Sequence, residues 1–509
     1  MNSINKNIIR GILISSYVIV TAFCIYGISA LYSYLNTGAD RSSMLHTELK
    51  KIDSYLPKIN WAPLNNIGRP MDSTTLKAIE YDYLDAWYIK NLSYKKNSKQ
   101  GIEDYYTKKA RQNIYNTVDN NIAEDITIAS TSLEHHPTLE FFSEDGQLAV
   151  ITDYNVLEYK RVYKTGMLLY ETTETSTYKI ILLLEDGFWR IRHMIKQQTD
   201  TTEEKSNRNI TQNIHIKGIN YYPKETPWAL FGNAFNIETI AEDFKMIKDA
   251  GLNSIRIFIP YESFGKANIR PEKLNKLKQV LDTAKNQELK VVITLFDFYG
   301  DYSVLNWTLT HRHAETLVTN FKNHDAIIAW DIKNEPNLDF ESRNTSLVIA
   351  WLKQMITVVK SADPNHPVTI GWSNSKSATI LKDDVDFVSF HYYDSLDNLE
   401  STFTSLKENI YNKPIVLSEF GISSYSGPWN LFGSSETKQA NYHKKAQEIL
   451  EKQNIPFMSW TLYDFNNIPK AVVGKLPWRR NIQKNFGFIS TNGTKKMSFK
   501  YISKSRENK

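Results

Sequence analysis

From Ile214 to the carboxyl terminus, short apolar runs alternate with segments whose apolar residues recur at helical spacing. Eight runs read as strands, and seven linking segments of varying clarity read as helices. This repeated strand–helix order predicts an α/β fold of the (β/α)8 barrel type. A doubly wound open sheet is the alternative, but Asn220-Tyr221-Tyr222-Pro223 is not the glycine-rich first turn of that fold. The predicted strands are His215–Tyr221, Ser254–Ile259, Lys290–Phe296, Ile327–Ile332, Val368–Trp372, Val385–Tyr392, Pro414–Glu419 and Pro456–Leu462.

Residues 73–198 have a different order, because two helical segments come first and long runs rich in Val, Ile, Thr and Tyr follow. The turn dipeptides Asp145-Gly146 and Asp186-Gly187 separate these runs, so the block predicts an α+β domain with an antiparallel sheet. The predicted elements are helices Thr75–Leu92 and Gly101–Val118, and strands Ile126–Ser132, Leu148–Arg161, Leu168–Leu184 and Phe188–Ile195.

Polar segments border the two predicted domains. Residues 36–72 contain three prolines and predict a stem, and the polar residues 199–213 predict a linker. The barrel domain then covers residues 214–509, and Asn492-Gly493 predicts a terminal β-hairpin over Asn485–Ser503.

The amino-terminal segment is the most apolar part of the chain, with no charged side chain between Gly11 and Ala39. Residues 11–35 are long enough to cross a bilayer as a helix. Lys6 and Arg10 precede them, so the positive-inside rule predicts residues 1–10 in the cytoplasm and the rest of the chain on the outer or periplasmic side. A cleaved signal peptide is the alternative, although the apolar run exceeds the usual signal core. Both interpretations predict export.

Composition excludes several classes of partner. A formal net charge of +5 over 509 residues, without a basic tract, argues against nucleic acid. Cys24 is the single cysteine, which excludes an internal disulfide and a cysteine-based zinc site. His135-His136 predicts a solvated turn, and His311-Arg312-His313 lies at a helix start, so neither pair favours a metal. We therefore expect no metal and no cofactor. The 29 Tyr and 11 Trp favour flat, partly polar ligands such as sugars.

Polar residues at the predicted strand ends are the candidates for chemistry, because the carboxyl ends of barrel strands build the active site. Two glutamates end the fourth and seventh strands. Cleavage of a glycosidic bond needs two carboxyl groups, one protonated as an acid and one ionised. Four strand-end tryptophans are candidates either for sugar contacts or for loop packing: Trp228, Trp307, Trp429 and Trp478. The strand-end set itself is Arg256, Asn334, Glu335, His391, Tyr393, Glu419 and Trp460.

Over residues 214–505 this set resembles the family 5 glycoside hydrolases, the cellulase and mannanase group, and more broadly their clan of retaining (β/α)8 glycosidases. The resemblance implies that Glu335 is the acid/base and Glu419 the nucleophile, with carboxyl groups about 5 Å apart. It also implies that Arg256 and Tyr393 support Glu419, that His391 orients Glu335, and that Asn334 and Trp460 contact the sugar. The sequence departs from the family where a histidine often ends strand three, because it has Leu295-Phe296-Asp297-Phe298 there.

The hairpin Glu185–Ile191 and the order of elements before it resemble the NTF2-like (SnoaL-like) superfamily, which implies a binding or dimer-contact role for residues 73–198. The leading hypothesis is a membrane-anchored retaining hydrolase of β-linked polysaccharides or oligosaccharides, of the β-glucan or β-mannan type. The alternatives are a transglycosylase and a non-catalytic polysaccharide-binding scaffold of an exopolysaccharide assembly.

Overall fold

The computed structural model describes residues 6–36, 55–197, 214–427, 433–473 and 477–505. It contains a five-stranded sheet and a closed eight-stranded barrel. The strands are β1 (Lys58–Ile59), β2 (Ile126–Phe142), β3 (Leu148–Lys164), β4 (Met167–Glu185), β5 (Phe188–Lys196), β6 (Lys217–Asn220), β7 (Ser254–Pro260), β8 (Lys290–Asp297), β9 (Ile327–Asn334), β10 (Val368–Trp372), β11 (Val388–Tyr392), β12 (Ile415–Phe420) and β13 (Phe457–Ser459).

The helices fall into two groups by position. Those before the barrel are α1 (Lys6–Asn36), α2 (Ser73–Lys96), α3 (Ile102–Tyr105) and α4 (Lys108–Ala123). Those of the barrel are α5 (Ile237–Asp249), α6 (Tyr261–Phe264), α7 (Pro271–Asn286), α8 (Trp307–Phe321), α9 (Phe340–Arg343), α10 (Thr345–Ala362), α11 (Ser375–Ala378), α12 (Leu399–Asn409), α13 (Glu436–Gln453), α14 (Lys470–Val473) and α15 (Pro477–Lys484).

The predicted (β/α)8 barrel is confirmed, since β6 to β13 close into one ring in which neighbouring strands pair in parallel. Four of the strands, β8, β9, β12 and β13, contribute Val292, Ala329, Val416 and Met458 to a small buried apolar cluster inside the barrel. The opposite faces of the strands pack against the surrounding helices in a larger core. Burial on both faces explains why the strands read as nearly continuous apolar runs in the sequence.

The predicted carboxyl-terminal hairpin is wrong in most of its length. A short hairpin forms around Asn492-Gly493, where Ile489 and Lys495 pair in antiparallel and the Lys496 amide donates to the Phe488 carbonyl, and a 3-10 helix follows at Met497–Tyr501. After this short hairpin the Lys496 ammonium contacts the buried Asp464 carboxylate at 2.8 Å, and the Ser498 hydroxyl bonds the Gln439 side chain of α13 at 3.1 Å. The chain therefore packs against α13 and does not extend along the first arm.

The amino-terminal part has the predicted order of helices followed by an antiparallel sheet, with β2 to β5 paired in sequence. The short strand β1 adds to the edge in parallel with β2, which brings part of the predicted stem onto the sheet. Helix α2 buries Tyr83, Trp87 and Ile89 in the core of this domain. The linker predicted over residues 199–213 lies outside the described residues, and the domain boundaries remain predictions.

The prediction of a solvated turn at His135-His136 is wrong. Strand β2 continues through this site, and His135 is completely buried, with Nδ1 2.7 Å from Asp153 and Nε2 3.0 Å from the Ser132 hydroxyl. The order Ser–His–Asp resembles a nucleophilic triad, but all three residues are buried to 0% exposure. The hydrogen bonds satisfy polar groups that the sheet has removed from water, which gives the cluster a structural role.

Helix α1 contains the helix predicted over residues 11–35, but the prediction that it spans a membrane is not confirmed. Among the residues that the structure describes, no helix combines the length and apolar character that a membrane crossing requires.

Candidate active site

A cleft of about 500 Å³ lies at the barrel mouth, where the carboxyl ends of the strands meet. Five of the seven strand-end residues line it directly: Asn334, Glu335, Tyr393, Glu419 and Trp460. The other two, Arg256 and His391, are buried beneath this surface and contact the glutamates. The structure therefore brings together all seven residues that the sequence selected.

Glu335 follows directly after β9 and has a left-handed backbone conformation, with φ 47° and ψ 47°. This conformation costs about 1–2 kcal/mol for a residue with a Cβ, and such strain is concentrated at functional sites. A hydrogen bond from the Glu335 amide to the Gly371 carbonyl, 2.7 Å long, holds the turn. The carboxyl group points to His391, whose Nδ1 lies 2.8 Å from Oε1.

Glu419 lies within β12 and is 5% exposed. Its Oε1 accepts a hydrogen bond from Arg256 Nη1 at 2.8 Å, and its Oε2 accepts one from the Tyr393 hydroxyl at 3.0 Å. A register shift between Phe390 and His391 aligns His391 with Glu419 across the β11–β12 pair. His391 Nδ1 consequently lies 3.4 Å from Glu419 as well as near Glu335.

Arg256 occupies the centre of a buried polar network below the glutamates. Its guanidinium pairs with Asp331 at 2.6 Å and with Glu419 at 2.8 Å, and it is 1% exposed. It also donates to Asn334 Oδ1 at 2.9 Å. A side chain at Gly371 would bring its Cβ within 2.5 Å of Arg256 Nη2, so glycine is required there. The network fixes Glu419 and Asn334 relative to each other.

The two glutamates are close enough to influence each other's protonation. Burial raises the pKa of Glu419, and the charges of His391 and Arg256 oppose this rise. Burial also acts to raise the pKa of Glu335, but the hydrogen bond and charge of His391 outweigh it and lower that pKa. One ligand atom each of Glu335, His391 and Glu419 lies within 4.8 Å of the others. Carboxyl groups this close titrate as a pair that holds one proton over a range of pH.

The three donor atoms of Glu335, His391 and Glu419 are near enough to one another to contact a single metal ion. The expected absence of a metal therefore stays a prediction from the sequence. Arg256 already supplies positive charge at 2.8 Å from Glu419, so the carboxylate is compensated by the chain itself.

The floor of the cleft is aromatic. Trp460 packs among Tyr222, Trp228 and Phe258, with ring centroids 5.9 Å apart between Trp228 and Trp460. Within the described part of the chain, the indole Nε1 of Trp460 is buried and has no hydrogen-bond partner. Phe298 and Leu338 line the same cleft and are 50% and 64% exposed. Flat apolar surfaces with isolated donors suit sugar rings.

The other candidate tryptophans have different positions. Trp228 lines the cleft, whereas Trp307 is completely buried and stacks on Tyr159 of the amino-terminal domain. Trp429 and the side chain of Trp478 lie outside the described residues.

Sequence reasoning missed several charged residues of the site, including Asp339 and Arg343 of the cleft lining. Asp297 and Lys333 line the cleft although they are only 6% and 5% exposed, and Asp331 anchors Arg256 below it. Strand alternation offered a signal, because Asp331, Lys333 and Glu335 have the same parity along β9. Asp297 stands in the segment where the sequence departs from the family pattern.

Replacing Asp297 with asparagine is expected to stabilise the protein at neutral pH. Burial raises the pKa of Asp297 to about 6, whereas an unfolded aspartate titrates near 4. Between these values the folded chain binds more protons, so this group lowers stability as the pH rises. We expect Asp297→Asn to gain roughly 2–3 kcal/mol more at pH 7 than at pH 4, measured by denaturant unfolding. The exposed neighbour Asp301 provides the control, Asp301→Asn, and an equal gain at both pH values would contradict the prediction.

The barrel and its site define a class. A closed ring of eight parallel strands, with two acidic side chains facing each other after strands four and seven, is the arrangement of (β/α)8 glycoside hydrolases. Residues 207–466 match the family described as cellulase, glycosyl hydrolase family 5. The chain belongs to glycosyl hydrolase family 5.

Curated relatives come from two groups. The chain is 26% identical over 287 residues to a β-glucuronidase of Chlorocebus aethiops, covering 51% of this chain and 40% of that protein. It is 22% identical over 205 residues to mannan endo-1,4-beta-mannosidase A of Podospora anserina, covering 32% and 54% respectively. The chain thus spans less than two thirds of the length of these relatives. The matched family covers none of residues 73–198, so the NTF2-like resemblance stays a prediction.

Among solved structures, the exo-beta-1,4-mannosidase Op5Man5 of Opitutaceae bacterium strain TAV5 is similar, with a TM-score of 0.46 and 16% identity. The similarity covers 57% of this chain and 58% of that chain.

Proposed function

We propose that the protein is a retaining β-glycosidase in which Glu419 is the nucleophile and Glu335 the acid/base. The observation that carries this proposal is the carboxyl pair, whose ligand atoms lie within 4.8 Å of each other in an aromatic cleft. Retaining enzymes hold their carboxyl groups about 5 Å apart, whereas inverting enzymes need about 6.5–9.5 Å to admit a water molecule.

In the first step, a Glu419 carboxylate oxygen attacks the anomeric carbon while the glycosidic C–O bond breaks. Glu335 gives its proton to the departing oxygen, and a covalent glycosyl ester forms on Glu419. In the second step Glu335 removes a proton from water, whose oxygen attacks the same carbon and displaces Glu419. A sugar hydroxyl in place of water would give transglycosylation from the same intermediate.

The directions of the two pKa shifts, lowered for Glu335 and raised for Glu419, favour a proton nearer Glu419 before substrate binds. Positive charge that develops at the anomeric carbon favours an ionised Glu419, since the carboxylate faces that carbon. The proton then belongs on Glu335, where the leaving oxygen accepts it. The active species is therefore the singly protonated pair, and His391, 2.8 Å from Glu335 and 3.4 Å from Glu419, contacts both carboxyls.

The remaining residues support these steps. Arg256 and Tyr393 donate to the two oxygens of Glu419 and fix the angle of attack. Asn334, held through its carbonyl oxygen by Arg256, presents its amide N–H to a sugar hydroxyl beside the acid. Trp460 supplies an aromatic surface for the bound ring.

The charges of the cleft favour a neutral β-linked glycan. Two cations, Lys333 and Arg343, line the cleft together with four carboxyl groups, Asp297, Glu335, Asp339 and Glu419. Lys333 lies 3.4 Å from Asp339 and is already paired with it. Carboxyl groups therefore outnumber the cations that a uronate could bind. Of the two activities named by the curated relatives, cleavage of a neutral mannan fits this lining better than cleavage of a glucuronide.

The test is hydrolysis of a defined panel of β-glucans, β-mannans and aryl β-glucuronides by the wild-type chain and by Glu419→Ala. We expect the wild type to cleave at least one neutral glycan with retention at the anomeric carbon, observed by NMR of the first product. Equal inactivity of both proteins on the whole panel would favour the scaffold hypothesis. Longer products at high acceptor concentration would identify transglycosylation.

We further propose that the catalytic domain is exported and tethered by its amino-terminal segment, a proposal that rests on the uncharged residues 11–39. Tyr17, Phe23 and Tyr26 of helix α1 are each more than 70% exposed, and a membrane would shield these large side chains from water. Fractionation of cells should recover the full-length chain with the membranes, accessible to protease from outside. A shortened chain in the soluble exported fraction would instead indicate a cleaved signal peptide, and a cytoplasmic chain would refute export.

A further inference from the structure

A second cavity, of about 370 Å³, lies beside the catalytic cleft, between the barrel and the amino-terminal domain. Gly300 and Arg343 line both cavities, so the two spaces adjoin. The barrel side of the second cavity comes from the segment after β8, from Arg343 at the end of α9 and from Leu347 of α10. The side facing it comes from the amino-terminal domain and consists of Lys95, Thr127, Ala129 and Tyr163.

Buried contacts fix the wall that the amino-terminal domain contributes. Tyr159 of β3 stacks on Trp307 with ring centroids 4.2 Å apart and 28° between the planes. Arg161, which is completely buried, contacts the Ser346 hydroxyl, and the Lys95 ammonium donates to the Ser303 hydroxyl at 2.9 Å. Ala129, Leu133 and Tyr159 belong to the same apolar core as the barrel helices. Since the interface is a packed core, the shape of the cavity is set before a ligand arrives.

The lining has the chemistry of a sugar-binding surface. Tyr163 is half-buried, pairs with Thr127 across the β2–β3 ladder, and lines the cavity together with Ser303. The Arg161 guanidinium lies 5.7 Å from the Tyr163 ring centroid, within the range of a cation–π contact. Lys95 and Arg343 carry positive charges and Asp301 carries a negative one, so the lining mixes both signs with one positive charge in excess. An aromatic ring with flanking hydroxyl donors and acceptors binds neutral sugar units by stacking and hydrogen bonds.

We propose that the amino-terminal domain extends the substrate cleft, and that Tyr163 and its neighbours bind sugar units of an extended glycan chain several positions from the bond that is cleaved. The inference rests on the proposed glycosidase function and adds to it that the substrate is a polymer. A chain that leaves the catalytic cleft past Gly300 and Arg343 enters the second cavity directly. The amino-terminal domain thereby selects for chain length.

The test compares Tyr163→Ala with wild type on the polymer and on a short aryl glycoside or disaccharide of the same sugar. Because loss of one stacked sugar contact corresponds to about a tenfold change, we expect the ratio of kcat/KM for the polymer to kcat/KM for the short substrate to fall about tenfold. Tyr154→Ala is the matched control, since Tyr154 is a 45% exposed tyrosine on the same strand that lines neither cavity. It should leave the ratio unchanged.

A second variant and a binding measurement keep the two proposals separate. Thr127→Trp adds a large side chain that fills the cavity, whereas Tyr163→Ala removes one from its lining. Thr127→Trp should also lower the ratio of kcat/KM for the polymer to kcat/KM for the short substrate, even where Tyr163→Ala folds poorly. Affinity electrophoresis in polymer-containing gels measures binding without turnover. Binding that Tyr163→Ala weakens about tenfold, with no hydrolysis by any form, would retain the extended cleft and refute the glycosidase function. If the protein hydrolyses the polymer and both variants keep the wild-type ratio of kcat/KM values, the extended cleft is refuted and the glycosidase function stands.

Discussion

Replacing Glu419 with alanine is expected to lower kcat/KM by roughly 10⁴- to 10⁶-fold on every glycan that the wild type cleaves. The variant lacks the oxygen that forms the covalent ester, and Asp331 cannot take its place because it is held 2.6 Å from Arg256 below the cleft. Azide, a small anion, fits the space that the carboxylate leaves. It should restore turnover of an aryl β-glycoside and give the α-glycosyl azide, since it attacks from the side of Glu419.

The matched control for this substitution is Glu262→Ala, which removes a 71% exposed glutamate from the same barrel. It should retain wild-type kinetics. Circular dichroism and thermal unfolding of Glu419→Ala should remain close to the wild type, because Arg256 keeps Asp331 as its partner. Residual activity within about tenfold of the wild type would contradict the role of nucleophile.

Replacing Glu335 with alanine is expected to lower kcat/KM by about 10²- to 10⁴-fold, with the size set by the leaving group. A poor leaving group such as a sugar hydroxyl needs the proton of Glu335, whereas a dinitrophenolate departs without it. The variant should therefore still cleave the dinitrophenyl glycoside in the first step. The glycosyl ester on Glu419 should then accumulate, because its hydrolysis needs Glu335 as a base. Azide should speed the second step and give the β-glycosyl azide, the opposite anomer to that from Glu419→Ala.

The opposite anomers separate the two roles, because each reports the face of the sugar from which azide attacks. Stopped-flow measurement of a phenolate burst tests accumulation of the ester in Glu335→Ala. Glu341→Ala, an exposed glutamate a few residues further along the chain, serves as the control and should show neither effect. Equal losses for good and poor leaving groups would refute the acid/base assignment.

The amino-acid pattern alone predicted the barrel. Eight apolar runs spaced by helical segments leave few other folds, because strands buried on both faces must be almost wholly apolar. Strand β11 starts at Val388 and not at the predicted Val385. The Asp386 carboxylate accepts a hydrogen bond from the Val368 amide at 2.8 Å and pairs with Lys360, which holds this part of the chain outside the strand. Side-chain bonds of this kind adjust the ends of strands without changing their number.

Most of the candidate site could be predicted from the sequence. The carboxyl ends of all barrel strands lie at the same mouth, which brings together residues that are far apart in the chain. Glu335 and Glu419 could be paired in this way. Asp297 and Lys333 could not be placed in the cleft, because a charged residue at a strand end is as often a turn or an ion pair. His135 was misread because its burial depends on Asp153, which lies on the neighbouring strand.

By itself, the sequence determined the type and order of the elements, the family and the residues that face one another at the barrel mouth. These features follow from periodicity and from the chain order of the strands, which are local properties. Only the tertiary structure decided the left-handed turn at Glu335, the burial of the Arg256 network and the cavity that continues onto Tyr163. Each of these features depends on contacts between side chains from segments that are distant in the chain. The periodicity of a single segment does not specify such contacts.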